Sequence, residues 1–139
     1  MDFSIPAPTA ELLRRVRGFL DEHVFPVEAE LLKLGFPAVV PRLMALRAQV
    51  RAAGLWLPQM PAALGGLGLS LQEHGLVSEV LGQCPFGHYL FNCQAPDAGN
   101  MEILHSHGTH EQHERFLRPL LAGDLRSCFS MTEPNSPGS

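Results

Sequence analysis

The residues with the most evident chemical potential lie at the carboxyl end of the sequence, in the stretch CFSMTEPNSPGS over 128–139. A run of β-favouring residues, 125–131, leads into Thr132, Glu133 and Pro134, and turn-forming residues follow. Hydroxyl and carboxylate side chains placed directly after a strand are typical of a loop that brings polar groups into a functional site. Glu133 is a poor candidate for a general base, because the sequence offers it no partner carboxylate.

Four of the seven histidines crowd into a second stretch that could do chemistry, at His105, His107, His110 and His113. Imidazole is a common metal ligand, and the last two rings could share one helical face. Gly108 interrupts the segment, however, and no cysteine lies nearby. We therefore expect exposed, titrating histidines at a corner between two helices, and no metal site.

The cysteines and the glycine-rich loop are interpreted as structural. Cys84, Cys93 and Cys128 form no Cys-x-x-Cys pair, and their odd number argues against a disulfide framework, so we expect reduced, mostly buried thiols. The sequence GGLG over 65–68 resembles a phosphate-binding loop, but a dinucleotide fingerprint needs a preceding strand and helices are predicted on both sides here. Backbone turns that need positive φ ahead of a helix cap are the preferred interpretation.

The composition excludes several classes of protein. At 139 residues, with 45% hydrophobic and 17% charged residues, the chain fits one globular domain. A net charge of −4 and ten scattered Lys and Arg residues give no reason to expect nucleic acid as a partner. No apolar run approaches the ~20 residues that span a bilayer, and the N-terminus lacks the basic and apolar regions of a secretory signal. We therefore expect a cytoplasmic protein without a membrane span.

Helical periodicity runs through most of the sequence and predicts an all-α domain of about six helices. The predicted start signals are the caps Thr9, Ser70 and Thr109, the last two within capping boxes, and the predicted stops are Gly54, Gly82, Gly108 and Gly123. Pro26 is predicted to end or kink the first helix. Residues 55–70 are predicted to form an ordered loop. The apolar stripes assigned to the core include Leu71 in one helix and Phe116, Leu117, Leu120 and Leu121 in another.

Several spaced motifs resemble those of the acyl-CoA dehydrogenases. The stretch LRSCFSMTEP, 125–134, is similar to the family's flavin-binding signature, in which Thr-Glu-Pro follows an aromatic and a hydrophobic residue. Residues 108–123 resemble the family's preceding helix, and residues 54–68 resemble its glycine-rich loop. Residues 91–102 look most like the branch that contains acyl-CoA dehydrogenase family members ten and eleven.

The resemblance implies a fold and a reaction. It implies an N-terminal helical domain over 1–124, followed over 125–139 by the opening strand of a middle β-domain. The family's catalytic glutamate belongs to a later C-terminal domain, so no catalytic residue is expected in this stretch. The implied activity is α,β-dehydrogenation of an acyl-CoA thioester to the 2-enoyl-CoA, with FAD as cofactor. An electron-transferring flavoprotein as electron acceptor and a homo-oligomer, dimer or tetramer, are implied as partners.

Individual site residues follow from the same resemblance. FAD contacts are assigned to Phe129, Met131 and Thr132, and the Thr132 hydroxyl matches one that hydrogen-bonds near flavin N5 and O4. Substrate contacts are assigned to Phe91, Asn92 and Ala95 at the acyl pocket and to Ser139 at the thioester arm, with Ser136 as the alternative to Ser139. A second function remains open on the sequence: a catalytically inert helical interaction or binding module derived from this family.

Overall fold

A computed structural model describes residues 4–135, and within them the fold is all-α, as predicted. The α-helices are α1 (Ala7–Phe19), α2 (Phe25–Leu31), α3 (Phe36–Ala52), α4 (Leu71–Leu81), α5 (Gly87–Leu90), α6 (Asp97–His107), α7 (His110–Gln112) and α8 (Arg118–Ala122). Two π-helical segments, Leu20–Val24 and His113–Leu117, and a 3₁₀ turn, Ala62–Leu64, complete the helical elements. The chain divides into two compact units, Met1–Cys93 with α1–α5 and Gln94–Ser139 with α6–α8.

Helix α1 begins earlier than the sequence predicts. Pro6 precedes the helix and Pro8 lies in its first turn, where a missing N–H is tolerated. Thr9 is therefore inside the helix, and the prediction that it is the N-cap is wrong. Its buried hydroxyl instead donates to Glu73 Oε1 at 3.0 Å, which ties α1 to α4.

The helical path continues through Pro26 by way of an irregular turn. The π-helical segment Leu20–Val24 joins α1 to α2, and Pro26 falls in the first turn of α2. A π turn widens the helix by one residue, so the disruption predicted at the proline occurs just before it.

The core of the first unit is formed by apolar stripes on α1, α3, α4 and α5. Helix α1 packs against α4, and α5 packs against both α3 and α4. On α3 the buried residues recur at helical spacing, as the sequence predicts. They are Val39, Leu43, Leu46 and Val50, and Gly54 follows the helix with a φ of +66°.

The glycine-rich stretch 55–70 is an ordered loop, as predicted. The main-chain amides of residues 65–69 all donate to carbonyl oxygens of residues 57–62. Gly65 and Gly68 have positive φ, and a Cβ at Gly66 would lie 2.0 Å from the Met60 carbonyl oxygen. Because the amides are engaged inside the loop, they do not form a phosphate cradle, and the structural interpretation of these glycines is confirmed.

Helix α4 opens with the predicted capping box. Ser70 Oγ accepts from the Glu73 amide at 3.3 Å, and Glu73 Oε2 accepts from the Ser70 amide at 2.9 Å. Hydrogen bonds from Ser70 and Thr9 lower the pKa of the Glu73 carboxyl. Leu71, which was assigned to the core, is 89% exposed at the first helical position, whereas Val77 and Leu81 of the same predicted stripe are buried.

The second unit shows the predicted capping box at Thr109 and the predicted stop at Gly123, whose φ is +75°. Leu117 and Leu120 are buried, as predicted, but Phe116 is 40% exposed. The expectation of a buried Phe116 is wrong because the segment His113–Leu117 is π-helical, which shifts the phase of the apolar stripe by one residue.

The histidine-rich corner is only partly exposed. His105, His107 and His110 are exposed, whereas His113 is half-buried with Nε2 2.7 Å from the Leu104 carbonyl oxygen. That nitrogen must carry a proton to bond a carbonyl, so His113 secures the corner as a donor. Across residues 4–135, no three His, Cys, Asp or Glu side chains are arranged to hold a metal ion.

The three cysteines are free thiols. Cys84 and Cys93 are buried, as predicted, and burial raises their pKa values to about 11 and about 12. Cys128 is exposed. In the described part of the chain no helix has the length and apolar character that crossing a membrane requires.

Candidate functional site

The candidate site is built on residues 125–135, here called the exit segment, which follows α8. The segment contains no helix, and no β-ladder forms within residues 4–135. Residues 125–131, predicted to be the opening strand of the next domain, therefore form no ladder within the described residues, since a ladder needs a neighbouring strand. A turn follows at Pro134–Asn135.

The start of the exit segment is anchored to α6 by a buried carboxylate. Asp97, the first residue of α6, is 0% exposed. Its Oδ1 accepts from the Ser127 amide at 2.7 Å and from Ser127 Oγ at 2.6 Å, and its Oδ2 accepts from Arg126 Nε at 2.5 Å. One turn later, Asn100 Nδ2 donates to Ser127 Oγ at 2.9 Å and to the Cys128 carbonyl oxygen at 3.3 Å.

The donors around Asp97 keep it ionised. Burial alone would raise the pKa of the Asp97 carboxyl, but the two Ser127 hydrogen bonds and the Arg126 guanidinium outweigh it and lower the pKa below the ordinary value. Gln94 Nε2 also donates to Oδ2, at 2.5 Å. The anchor is thus a buried anion surrounded by donors, an arrangement that holds its partners strongly.

Beyond this anchor the exit segment presents side chains outward. Phe129 is 62% exposed and Met131 is 57% exposed, and Thr132 is exposed as well. The side chains beside them line a groove of about 370 Å³ that is largely apolar. The apolar members are Ile103, Leu104, Phe116, Leu120 and Leu125. The three residues assigned to FAD therefore lie together on one accessible segment.

The residues assigned to the acyl substrate are placed differently. Phe91 is 0% exposed and Asn92 is 1% exposed, so both side chains belong to the core of the first unit. Ala95 is exposed and lies in the second unit. Ser139 and its alternative Ser136 lie outside the described residues.

A buried arginine that the sequence analysis missed holds Asn92 in place. Arg47 of α3 is 3% exposed, donates Nη2 to Asn92 Oδ1 at 3.0 Å, and donates Nη1 to the Tyr89 carbonyl oxygen. Its guanidinium also lies over the rings of Tyr89 and Trp56, 4.5 and 4.8 Å from their centroids. The sequence signal that could have identified Arg47 is its position directly after Leu46, as a charged residue within the apolar stripe of α3.

Asp97 was also missed as an anchor. It lies within the family-like stretch 91–102, and an acid just after Pro96 at a helix start is the signal that could have found it. Its partners lie about 30 residues later in the chain, and no local pattern reports such a contact.

Comparisons with known proteins show the family of this chain. Residues 8–124 match the family model for the acyl-CoA dehydrogenase N-terminal domain. Acyl-CoA dehydrogenase family member 11 of Mus musculus is 42% identical over 93% of this chain and 17% of its own length. Family member 10 of Mus musculus is 39% identical over 93% of this chain and 13% of its own length. A solved structure from Mycobacterium abscessus, assigned as an acyl-CoA dehydrogenase, is 44% identical with a TM-score of 0.85, over 96% of this chain and 36% of that one.

The chain therefore spans a small part of the length of its curated relatives. The family match extends from α1 to just beyond α8, and the solved relative shares the helical fold over nearly all of the chain. The chain belongs to the acyl-CoA dehydrogenase family, of which it carries the N-terminal domain.

Proposed function

We propose that this domain is part of an FAD-dependent enzyme that converts an acyl-CoA thioester to the 2-enoyl-CoA. The reaction removes a proton from the α carbon and a hydride from the β carbon. The electrons pass to an electron-transferring flavoprotein, and the enzyme works as a homo-oligomer in the cytoplasm. We place the domain boundary at 124/125, so that the exit segment begins the next domain.

One observation carries this proposal: the exit segment is fixed at its start and exposed along the stretch that follows. Phe129 and Met131 offer apolar, polarisable surface that suits a flat aromatic ring system. The Thr132 hydroxyl can donate a hydrogen bond to such a ring. The residues present therefore fit a flavin in their chemistry.

Each residue contributes a different function to that site. When bound, FAD supplies the acceptor for the hydride. Thr132 would hold the ring by a hydrogen bond that strengthens as the ring becomes electron-rich, and Phe129 and Met131 would cover it and exclude water. Family resemblance places the proton-abstracting glutamate in a later domain, so this domain contributes binding and orientation.

The substrate assignments enter the proposal with modified roles. Because Phe91 and Asn92 are buried in the first unit, we propose that they shape the wall of the acyl pocket through the backbone that they fix. Ala95, which is small and exposed, would contact the acyl chain itself. Ser139 is proposed for the thioester arm.

The proposal is tested with the full natural reading frame that encodes this chain. The purified protein should be yellow or should take up added FAD, and an acyl-CoA added without oxygen should bleach the flavin absorbance. Thr132→Val should slow this reduction, and Thr132→Ser, which keeps the hydroxyl, should retain most of the rate. A complete protein that is colourless and takes up no FAD would refute the proposal and favour the inert interaction module.

A further inference from the structure

The α6 side chains of Asp97 and Asn100 contact three successive residues at the start of the exit segment, Arg126, Ser127 and Cys128. We propose that they are positioning residues, which fix the register in which the exit segment is presented to the flavin. This inference rests on the proposed function and adds to it the question of which side chains face the cofactor.

The hydrogen bonds of the anchor engage backbone groups through which a neighbouring strand would otherwise pair. The Ser127 amide donates to Asp97 Oδ1, and the Cys128 carbonyl accepts from Asn100. From Phe129 to Thr132, by contrast, no backbone group forms a hydrogen bond within residues 4–135. Phe129 is therefore the first residue after the anchor whose amide and carbonyl are both left for a neighbouring strand within the described residues.

The starting residue matters because side chains alternate along a strand. Phe129 and Met131 share one face of an extended chain, and Thr132 lies on the other. A slip of one residue would exchange the two faces and replace an apolar contact by a hydroxyl. Correct contacts to the flavin therefore depend on a fixed register.

Asp97 selects the register because, among residues 126–128, Ser127 alone can offer its carboxylate both a backbone amide and a hydroxyl. Both the amide and the hydroxyl of Ser127 donate to the same carboxylate oxygen, at 2.7 and 2.6 Å. After a one-residue slip, Arg126 or Cys128 would occupy that position, and neither has a hydroxyl. The buried carboxylate would then lose a donor, and an unsatisfied buried charge is costly.

The test compares variants of the full-length protein. Asp97→Asn and the milder Ser127→Ala should each weaken FAD binding by about tenfold or more, the factor expected from losing a hydrogen bond to a charged group. Exchange of amide hydrogens in peptides that contain Ser127 should accelerate by a similar factor. Glu102→Gln, an exposed acid of the same helix, is the matched control and should change neither quantity. Far-UV circular dichroism checks that each variant is folded.

A double variant separates positioning from a purely structural effect. If Asp97 acts through the exit segment, adding Thr132→Val to Asp97→Asn should weaken FAD binding by less than the product of the two single effects. A double variant that weakens FAD binding by the full product of the two single effects would overturn the positioning role. Asp97→Asn and Ser127→Ala proteins that bind FAD like the wild type would do the same, and neither result would affect the proposed function. A wild-type protein that takes up no FAD would instead overturn the proposed function, and this inference with it.

Discussion

The buried Arg47 provides the sharpest quantitative prediction, because one side chain holds the turn that contains two predicted substrate residues. In Arg47→Met the volume is approximately kept, but the hydrogen bonds to Asn92 and to the Tyr89 carbonyl are lost. The contacts with the rings of Trp56 and Tyr89 are lost as well. We expect the turn over 88–93 to open more often.

The size of the effect follows from these contacts. Two hydrogen bonds from a charged donor contribute about 1.5–3 kcal/mol each, and each ring contact adds about 0.5–2 kcal/mol. Removing a buried charge also relieves a desolvation penalty of several kcal/mol, which offsets part of the loss. A net local destabilisation of about 3 kcal/mol remains, and it corresponds to roughly 100-fold faster exchange through local opening where closing outpaces chemical exchange, since about 1.4 kcal/mol is a factor of ten.

Hydrogen–deuterium exchange measures this opening in the full-length protein. The informative amides are those of Leu57, which donates to the Phe91 carbonyl at 3.1 Å, and Cys93, which donates to the His88 carbonyl at 3.0 Å. Local exchange is preferable to a melting curve, because multidomain proteins seldom unfold in two states.

Arg51→Met is the matched control for Arg47. Arg51 also lies over the Trp56 ring, 4.4 Å from its centroid, but it is exposed. An exposed contact of this kind contributes about 0.5–1 kcal/mol, so exchange should change by less than about fivefold. Arg47→Lys should resemble Arg47→Met, because an ammonium group cannot reproduce the planar fork of donors. Equal exchange in the Arg47→Met and Arg51→Met proteins would refute the reasoning.

Three further predictions concern the anchor, the loop and the isolated domain. As the pH falls below 3.8, the ordinary pKa of Asp, wild-type peptides that contain Ser127 should exchange progressively faster relative to the same peptides of the Asp97→Asn protein. The folded pKa of Asp97 is lowered, so its stabilisation is complete above the unfolded pKa and is lost as the pH falls through the folded value; a pH-independent ratio would contradict this. In hydrogen–deuterium exchange of the loop over 55–70, Gly66→Ala should lower the free energy of local opening by about 3 kcal/mol or more, because its Cβ would lie 2.0 Å from a carbonyl oxygen. Gly65→Ala, at a φ of +83° in open space, should lower it by only about 1 kcal/mol, and equal effects of the two substitutions would contradict this. Residues 1–139 expressed alone should keep their helices but bind a hydrophobic dye and associate in light scattering, because at least eleven large apolar side chains of the described chain are exposed; a dye-silent monomer would contradict this.

Local signals explain most of what the sequence predicted correctly. The capping boxes at Ser70 and Thr109 join residues three positions apart, so the sequence contains all of their partners. The apolar stripe of α3 and the turn at Gly54 are local for the same reason. The all-α fold could be predicted because it is the sum of such short-range preferences.

The incorrect predictions arise where long-range contacts or irregular helical turns, not local sequence preferences, determine the position of a residue. Thr9 has the right chemistry for a cap, but its hydroxyl bonds a carboxylate 64 residues away. Phe116 is out of phase because a π-helical turn changes the helical period, and single-sequence periodicity does not reveal such a turn. Arg47 and Asp97 were missed because their partners lie 45 and 30 residues further along the chain.

Burial divides the resemblance-based site residues into two physical classes. Phe91 and Asn92 have their contacts within the first unit, and Asn92 at a φ of +57° is held by Arg47, so substitutions there act first on the fold. Phe129 and Met131 keep more than half of their surface exposed, and no other residue of the described range 4–135 hydrogen-bonds to the backbone over 129–131. Apolar side chains on unpaired backbone are unfavourable in water, yet Asp97 anchors the start of this segment firmly. A firmly anchored segment that leaves apolar side chains and backbone groups uncovered is best explained as a contact surface. For this reason we propose that the exit segment contacts the flavin.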